Sequence, residues 1–194
     1  MKYLLAPITF PLSLLYGVIT FIRNKFFDWG WYKELEFEVP VISVGNLAVG
    51  GSGKTPHIAY LIELLSNKHV AVLSRGYGRR TKGFLLVNEN TSTRDAGDEI
   101  KMLKNRYPHV PMAVHENRPL GIAELMAEHP DIEVILLDDA FQHRHVKPKV
   151  NILLTEFRKP FFRDFVMPFG RLREWRSGYK RADLVVFTKS PTKE

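Results

Sequence analysis

No cysteine occurs among the 194 residues. That excludes a disulfide framework, a thiolate metal site and a cysteine nucleophile, so any chemistry must use oxygen, nitrogen or a borrowed ion. Internal repeats and low-complexity linkers are also missing, and 45% apolar residues rule out disorder and collagen-like repeats. The apolar content suffices for one core of ordinary domain size.

Acids are scarce in one stretch. From Phe141 to Arg181 eleven Lys and Arg stand against three acids (Glu156, Asp164, Glu174), a surplus larger than the +7 of the whole chain. Such a block suits an anionic partner: a nucleic acid, an acidic membrane surface or a phosphorylated substrate. The bland reading is a solvated face. Charge of either sign is absent from Tyr3 to Ile22, twenty residues bracketed by Lys2 and by Arg23 and Lys25. That is about the length that spans a bilayer. Thr20-Phe21-Ile22-Arg23 offers no small-residue cleavage site, which argues against a signal peptide. Pro7 and Pro11 interrupt the first half and leave Leu12 to Phe27 as the better helix, and Trp29, Trp31 and Tyr32 follow as an interfacial aromatic cluster. The expectation is therefore a membrane-associated segment over 1–32, lying on or dipping into the surface, with a true span or a buried core helix as the alternatives, ahead of a nucleotide-binding domain over 33–194.

From Pro40 onward short aliphatic runs alternate with helical periodicity. Strands are expected at Val41–Val44, Val70–Ser74, Phe84–Val87, Met112–Val114, Val134–Leu137, Ile152–Thr155 and Leu184–Thr188, and helices at Thr55–Leu65, Asp98–Asn105 and Pro119–Glu128. Nearly continuous apolar strands alternating with helices imply an α/β fold, a mostly parallel sheet with helices on both faces.

Directly after the first strand comes Gly45-Asn46-Leu47-Ala48-Val49-Gly50-Gly51-Ser52-Gly53-Lys54-Thr55, followed by an amphipathic helix. This is the context of a phosphate-binding loop. Gly50, Gly51, Ser52 and Gly53 let backbone N–H groups close on phosphate oxygens, Lys54 reaches the outer phosphates, and the Thr55 hydroxyl is placed to hold Mg²⁺. The strict pattern wants glycine at position 48, where this chain has Ala48. The complementary acids follow Val134-Ile135-Leu136-Leu137 as Asp138 and Asp139. Carboxylates at the carboxyl end of a parallel strand lie at the same sheet edge as the loop, and a hard cation between them offsets their repulsion. The fold class expected is thus of the P-loop NTPase type.

Known nucleotide-binding classes can be tested on residues. Thr188-Lys189-Ser190-Pro191 lacks the acid of a guanine-reading motif, Val49 stands where cell-division ATPases carry a signature lysine, and no Ser-Gly-Gly transporter signature precedes the acidic strand. Small-molecule phosphoryl transfer remains. Six ordered motifs then carry a resemblance over essentially the whole chain: Gly45-Asn46 with Gly50 to Pro56, Ser74 to Arg79, Gly97-Asp98-Glu99, Glu116-Asn117-Arg118, Asp138 to His143, and Pro168 to Glu174. Together they resemble the lipid A 4′-kinase (tetraacyldisaccharide 4′-kinase) family.

That resemblance implies an ATP- and Mg²⁺-dependent kinase acting on the 4′-hydroxyl of an acylated disaccharide 1-phosphate at the cytoplasmic face of the bacterial inner membrane. By similarity Asp98 is the base, with Glu99 beside it and Lys54 serving the transferred phosphate. Asp98 is read as opening a helix, where the dipole favours a carboxylate; an ordinary N-cap is the alternative. Similarity also places Arg75, Tyr77, Arg118, Gln142, His143, Arg171 and Glu174 around nucleotide or acceptor, although Glu174 reads equally as a partner of Arg171 or Arg173. His143 and His145 are a poor Mg²⁺ pair, because that ion prefers oxygen. The partners implied are the acylated disaccharide phosphate and an anionic membrane surface, with no nucleic acid. The alternatives are a membrane-attached nucleotide switch and a nucleic-acid-dependent ATPase. Family members continue into a further lobe with a histidine that works with the catalytic acid, so the resemblance implies a chain lacking that lobe.

Overall fold

The computed structural model describes residues 6–191; Tyr3, Leu4 and Leu5 of the uncharged run lie outside the described residues. The chain runs α1 (Ala6–Asp28), β1 (Val41–Asn46), α2 (Lys54–Leu64), β2 (Val70–Ser74), β3 (Leu85–Leu86), α3 (Thr93–Ala96), α4 (Asp98–Arg106), β4 (Met112–Val114), α5 (Arg118–Glu128), β5 (Val134–Asp138), β6 (Val150–Glu156) and β7 (Leu184–Thr188). The strands form one seven-stranded sheet in the order β3-β4-β2-β5-β1-β6-β7. All neighbours are parallel except β3 and β4.

Alternation along the strands divides the core. Val44, Val72 and Leu136 face α2 and α4 and pack on Ile58, Ile62, Ile100 and Leu103. Val41, Leu73, Ile135 and Leu137 face the other way onto Ile122 and Leu125 of α5. A third cluster, Leu47, Phe141, Leu153, Phe161 and Leu172, fills the space beneath α1. β1 and β5 are in register with Val44 opposite Asp138, so the loops leaving both strands emerge together at the carboxyl edge of the sheet.

The described helix α1 includes Ala6 to Pro11, ahead of the expected Leu12, and carries Pro11 inside it. Pro11 forfeits a single ladder bond. What holds the helix is its inner face: Ser13, Gly17, Thr20 and Phe27 are buried. Ser13 Oγ accepts from the Phe169 N–H at 2.7 Å, and a Cβ on Gly17 would lie 2.6 Å from the Trp175 ring. The outer face leaves Ile8, Leu12, Leu15, Ile19 and Ile22 exposed.

Candidate active site

β1 ends at Asn46 and α2 starts at Lys54, so the loop between them is fixed by its flanks. Gly53 caps α2 at φ +84° and Gly50 sits at φ +119°, conformations that side chains with a Cβ rarely adopt. Asn46 Nδ2 donates to Ser52 Oγ at 2.9 Å. The loop's first half is stitched to a later segment, with Val49 N–H donating to the Arg171 carbonyl at 2.8 Å and Arg173 N–H to that of Leu47 at 2.7 Å. Lys54 Nζ lies 3.9 Å from Asp139 Oδ1.

Asp138, the last residue of β5, is buried. One carboxylate oxygen accepts from Ser74 Oγ at 3.2 Å, while the other is buried with no hydrogen-bond partner among the described residues. Burial, then the charges of Glu99 and Asp139, push its pKa up to about 6. Glu99 accepts from Thr55 Oγ1 at 3.0 Å, and Asp139, in the left-handed region at φ 50°, accepts from Arg173 at 2.9 Å. The orphaned carboxylate oxygen of Asp138 is of the kind that suits a hard divalent cation, although among the described residues no three acids or histidines stand close enough together to hold one.

A cleft of about 720 Å³ brings together Gly50, Lys54, Arg75, Tyr77, Asp98, Glu99, Asp138, Asp139, Gln142 and His143. Asp98 is the first residue of α4, behind a Gly97 cap. Burial, then the charges of Arg118 and Arg75, lower the His143 pKa to about 4, so the imidazole is neutral near pH 7. Gly51, Ser52 and Gly53 lie on the loop but do not line this cleft, and Thr55 sits behind it through its bond to Glu99.

Three more of the expected residues do not line the cleft. Arg118 does not reach the cleft: its guanidinium is buried and donates to the carbonyls of His115 at 2.9 Å and Asp138 at 2.8 Å, bracing the end of β5 from below. Arg171 pairs with Asp164 at 2.7 Å and lines a smaller neighbouring pocket. Glu174 is buried and pairs with Arg181 at 2.7 Å, not with Arg171 or Arg173. Conversely Ser74, Arg173, Tyr16 and Arg23 line the cleft without having been expected there. Ser74 and Arg173 sit inside the quoted motifs, so their neighbours carried the signal. Tyr16 and Arg23 are two turns apart on α1, and only tertiary packing brings them in.

A phosphate loop at the carboxyl edge of a mostly parallel sheet, facing clustered acids, defines a P-loop protein of kinase type. The chain belongs to the tetraacyldisaccharide-1-P 4′-kinase family, whose match spans residues 5–194. It is 51% identical over 184 residues to the tetraacyldisaccharide 4′-kinase of Bacteroides thetaiotaomicron, covering 94% of this chain and 48% of that protein. With the kinase of the same name from Flavobacterium johnsoniae it shares 52% identity over 189 residues, covering 97% of this chain and 56% of the other. The solved "apo" form of LpxK from Aquifex aeolicus, in complex with ATP, superposes with a TM-score of 0.88 at 42% identity over 97% of this chain and 59% of that one. The chain thus spans about half the length of the curated relatives it matches.

Proposed function

We propose that this chain supplies the ATP-binding half of a tetraacyldisaccharide 4′-kinase, which moves the γ-phosphoryl group of ATP onto the 4′-hydroxyl of an acylated disaccharide 1-phosphate. The observation that carries the reading is a cleft lined by Lys54, Asp98, Glu99, Asp138 and Asp139, with Thr55 bonded to Glu99 behind it. Loop N–H groups and Lys54 hold the outer phosphates in line for attack. Thr55 with Asp138 and Asp139 would hold Mg²⁺, which when bound neutralises charge on the phosphate oxygens. Asp98 takes the proton of the attacking hydroxyl as the new O–P bond forms and the bond to the ADP oxygen breaks. Arg75, Tyr77, Gln142 and His143 are assigned to the substrates' walls, and neutral His143 serves there as a hydrogen-bond partner rather than a charge.

Residues 1–32 are assigned to the cytoplasmic surface of the inner membrane and 33–194 to the nucleotide domain. α1, about 35 Å long, meets the protein body from Phe10 to Phe27. By length and apolar composition the helix could cross a membrane; its ties to the body along one face favour its lying beside the bilayer surface. Salt-sensitive binding to vesicles of the acylated precursor, without binding to single-stranded DNA, separates this reading from a nucleic-acid-dependent ATPase.

Phosphotransfer by a chain of the relatives' full length tests the site. Lys54→Ala should cost roughly 10²-fold or more in turnover, about 2.7 kcal/mol of transition-state stabilisation. Near-normal turnover in that variant removes the phosphate-loop assignment.

A further inference from the structure

The inner face of α1 is wired into the phosphate loop through one buried carboxylate. Glu174 accepts from Asn24 Nδ2 of α1 at 2.6 Å, from Arg181 Nη2 at 2.7 Å and from Gln142 Nε2 at 3.1 Å. The Gln142 amide also reaches the carbonyl of Asn46 at 3.0 Å, and Asn46 in turn holds Ser52 inside the loop. The other end of Gln142 accepts from Arg173 Nη1 at 3.3 Å, the same atom that bonds Asp139 at 2.9 Å. α1 adds two ties to this network: Arg23 Nη2 donates to the Gln142 carbonyl, and the Tyr16 hydroxyl donates to the Arg173 carbonyl at 3.0 Å.

A carboxylate that is 3% exposed must have its lone pairs filled. Here the groups that fill them belong to α1 on one side and, through Gln142, to the loop and Asp139 on the other. Withdrawing the α1 donor leaves one buried oxygen of Glu174 short of its partner, on the same carboxylate whose other oxygen holds Gln142. We propose that Glu174 is a positioning residue that couples the seating of α1 to the conformation of the phosphate loop, so that the apolar helix sets nucleotide affinity as well as location. The proposal rests on the nucleotide-binding reading above and goes beyond it, because a helix that served as anchor alone would be dispensable for nucleotide.

Asn24 is the place to cut the link, since it lies outside the cleft. Its carbonyl bond from Arg144 at 2.9 Å survives a change of side chain. In this chain, kept in detergent, Mg·ATP affinity is measured by calorimetry and stability by urea midpoint. Asn24→Leu should weaken Mg·ATP about fivefold, more than any accompanying fall in the urea midpoint accounts for. Asn24→Gln, which retains the amide donor, should restore affinity to within about twofold of the unmodified chain. Gly17→Leu, which pushes against the Trp175 ring and leaves the Asn24 and Glu174 side chains themselves unchanged, should reproduce the loss. The coupling is overturned if both leucine variants bind Mg·ATP as tightly as the unmodified chain, if affinity falls only in step with the urea midpoint, or if Asn24→Gln is as weak as Asn24→Leu. An unmodified chain that fails to bind Mg·ATP overturns the nucleotide reading itself, which is a separate failure.

Discussion

Asp138 is held where a carboxylate is disfavoured. Its pKa of about 6 stands above the ordinary 3.8, through burial first and the charges of Glu99 and Asp139 after it. The folded state therefore binds more protons than the unfolded chain between about pH 4 and pH 6, and stability falls as pH rises through that window. Above it the charged group costs about 3 kcal/mol. Asp138→Asn should accordingly stabilise the protein in the absence of divalent cation, with little gain near pH 4 and the full gain above pH 6. Urea midpoints across that range decide it; a gain independent of pH would mean that packing, not charge, was responsible. The same acid distinguishes metal ligand from base in turnover. In a full-length background, Asp138→Asn or Asp139→Asn should shift the Mg²⁺ dependence, because an amide oxygen is a weaker ligand for a hard cation. Asp98→Asn should lower turnover and leave Mg·ATP affinity within a few-fold. If Asp98→Asn moved the Mg²⁺ dependence as strongly as the pair does, Asp98 would belong to the metal site.

β1 and β5 meet at the site through a close approach that only glycine allows. A Cβ on Gly45 would lie 2.7 Å from the Phe141 Cβ and 2.8 Å from the Phe141 backbone nitrogen. Backbone cannot yield as a side chain does, so Gly45→Ala should destabilise by about 1–3 kcal/mol and weaken nucleotide binding. A neutral urea midpoint would show that the loop after β5 moves freely. This junction was readable in advance, because Gly45-Asn46 and Asp138-Asp139 are local patterns at the ends of continuous apolar runs, and such runs also revealed every strand of the sheet. Boundaries were less readable. β3 keeps two ladder residues where Phe84–Val87 was expected, since an edge strand has one partner to define it. α3, four residues capped by Ser92, has no apolar periodicity to announce it. Pro7 and Pro11 point to a helix from Leu12, yet the described helix includes both, because the buried inner face outweighs the bond that Pro11 forfeits. The pairing of Glu174 with Arg181 was hidden for another reason: the turns of 3₁₀ helix after Trp175 fold the chain back, which no repeating pattern encodes.

Charge is where the folded molecule differs most from its composition. The basic block spends Arg144, Lys147, Arg171, Arg173 and Arg181 on ion pairs with Asp28 and Glu34, Glu36, Asp164, Asp139 and Glu174. Arg158, Lys159 and Arg163 make no ion pair among the described residues and alternate with exposed Phe157, Phe162 and Phe165. This edge is continuous with α1, since Phe165 packs on Phe169 at 5.5 Å and Phe169 on Phe10 of the helix at 5.6 Å. Apolar helix and basic aromatic edge thus form one surface suited to an anionic bilayer, the helix supplying burial and the edge supplying charge. Replacing Arg158, Lys159 and Arg163 together by alanine should lower partition onto vesicles rich in acidic lipid by about 10²-fold, at about 1 kcal/mol per charge near the surface. Partition onto neutral vesicles should be unchanged, because the helix is intact, and raising salt should close the gap between variant and unmodified protein as the field is screened. Equal loss on neutral and acidic vesicles would show that the edge contributes through its aromatic packing, and no loss on either would move the membrane-facing surface elsewhere on the molecule.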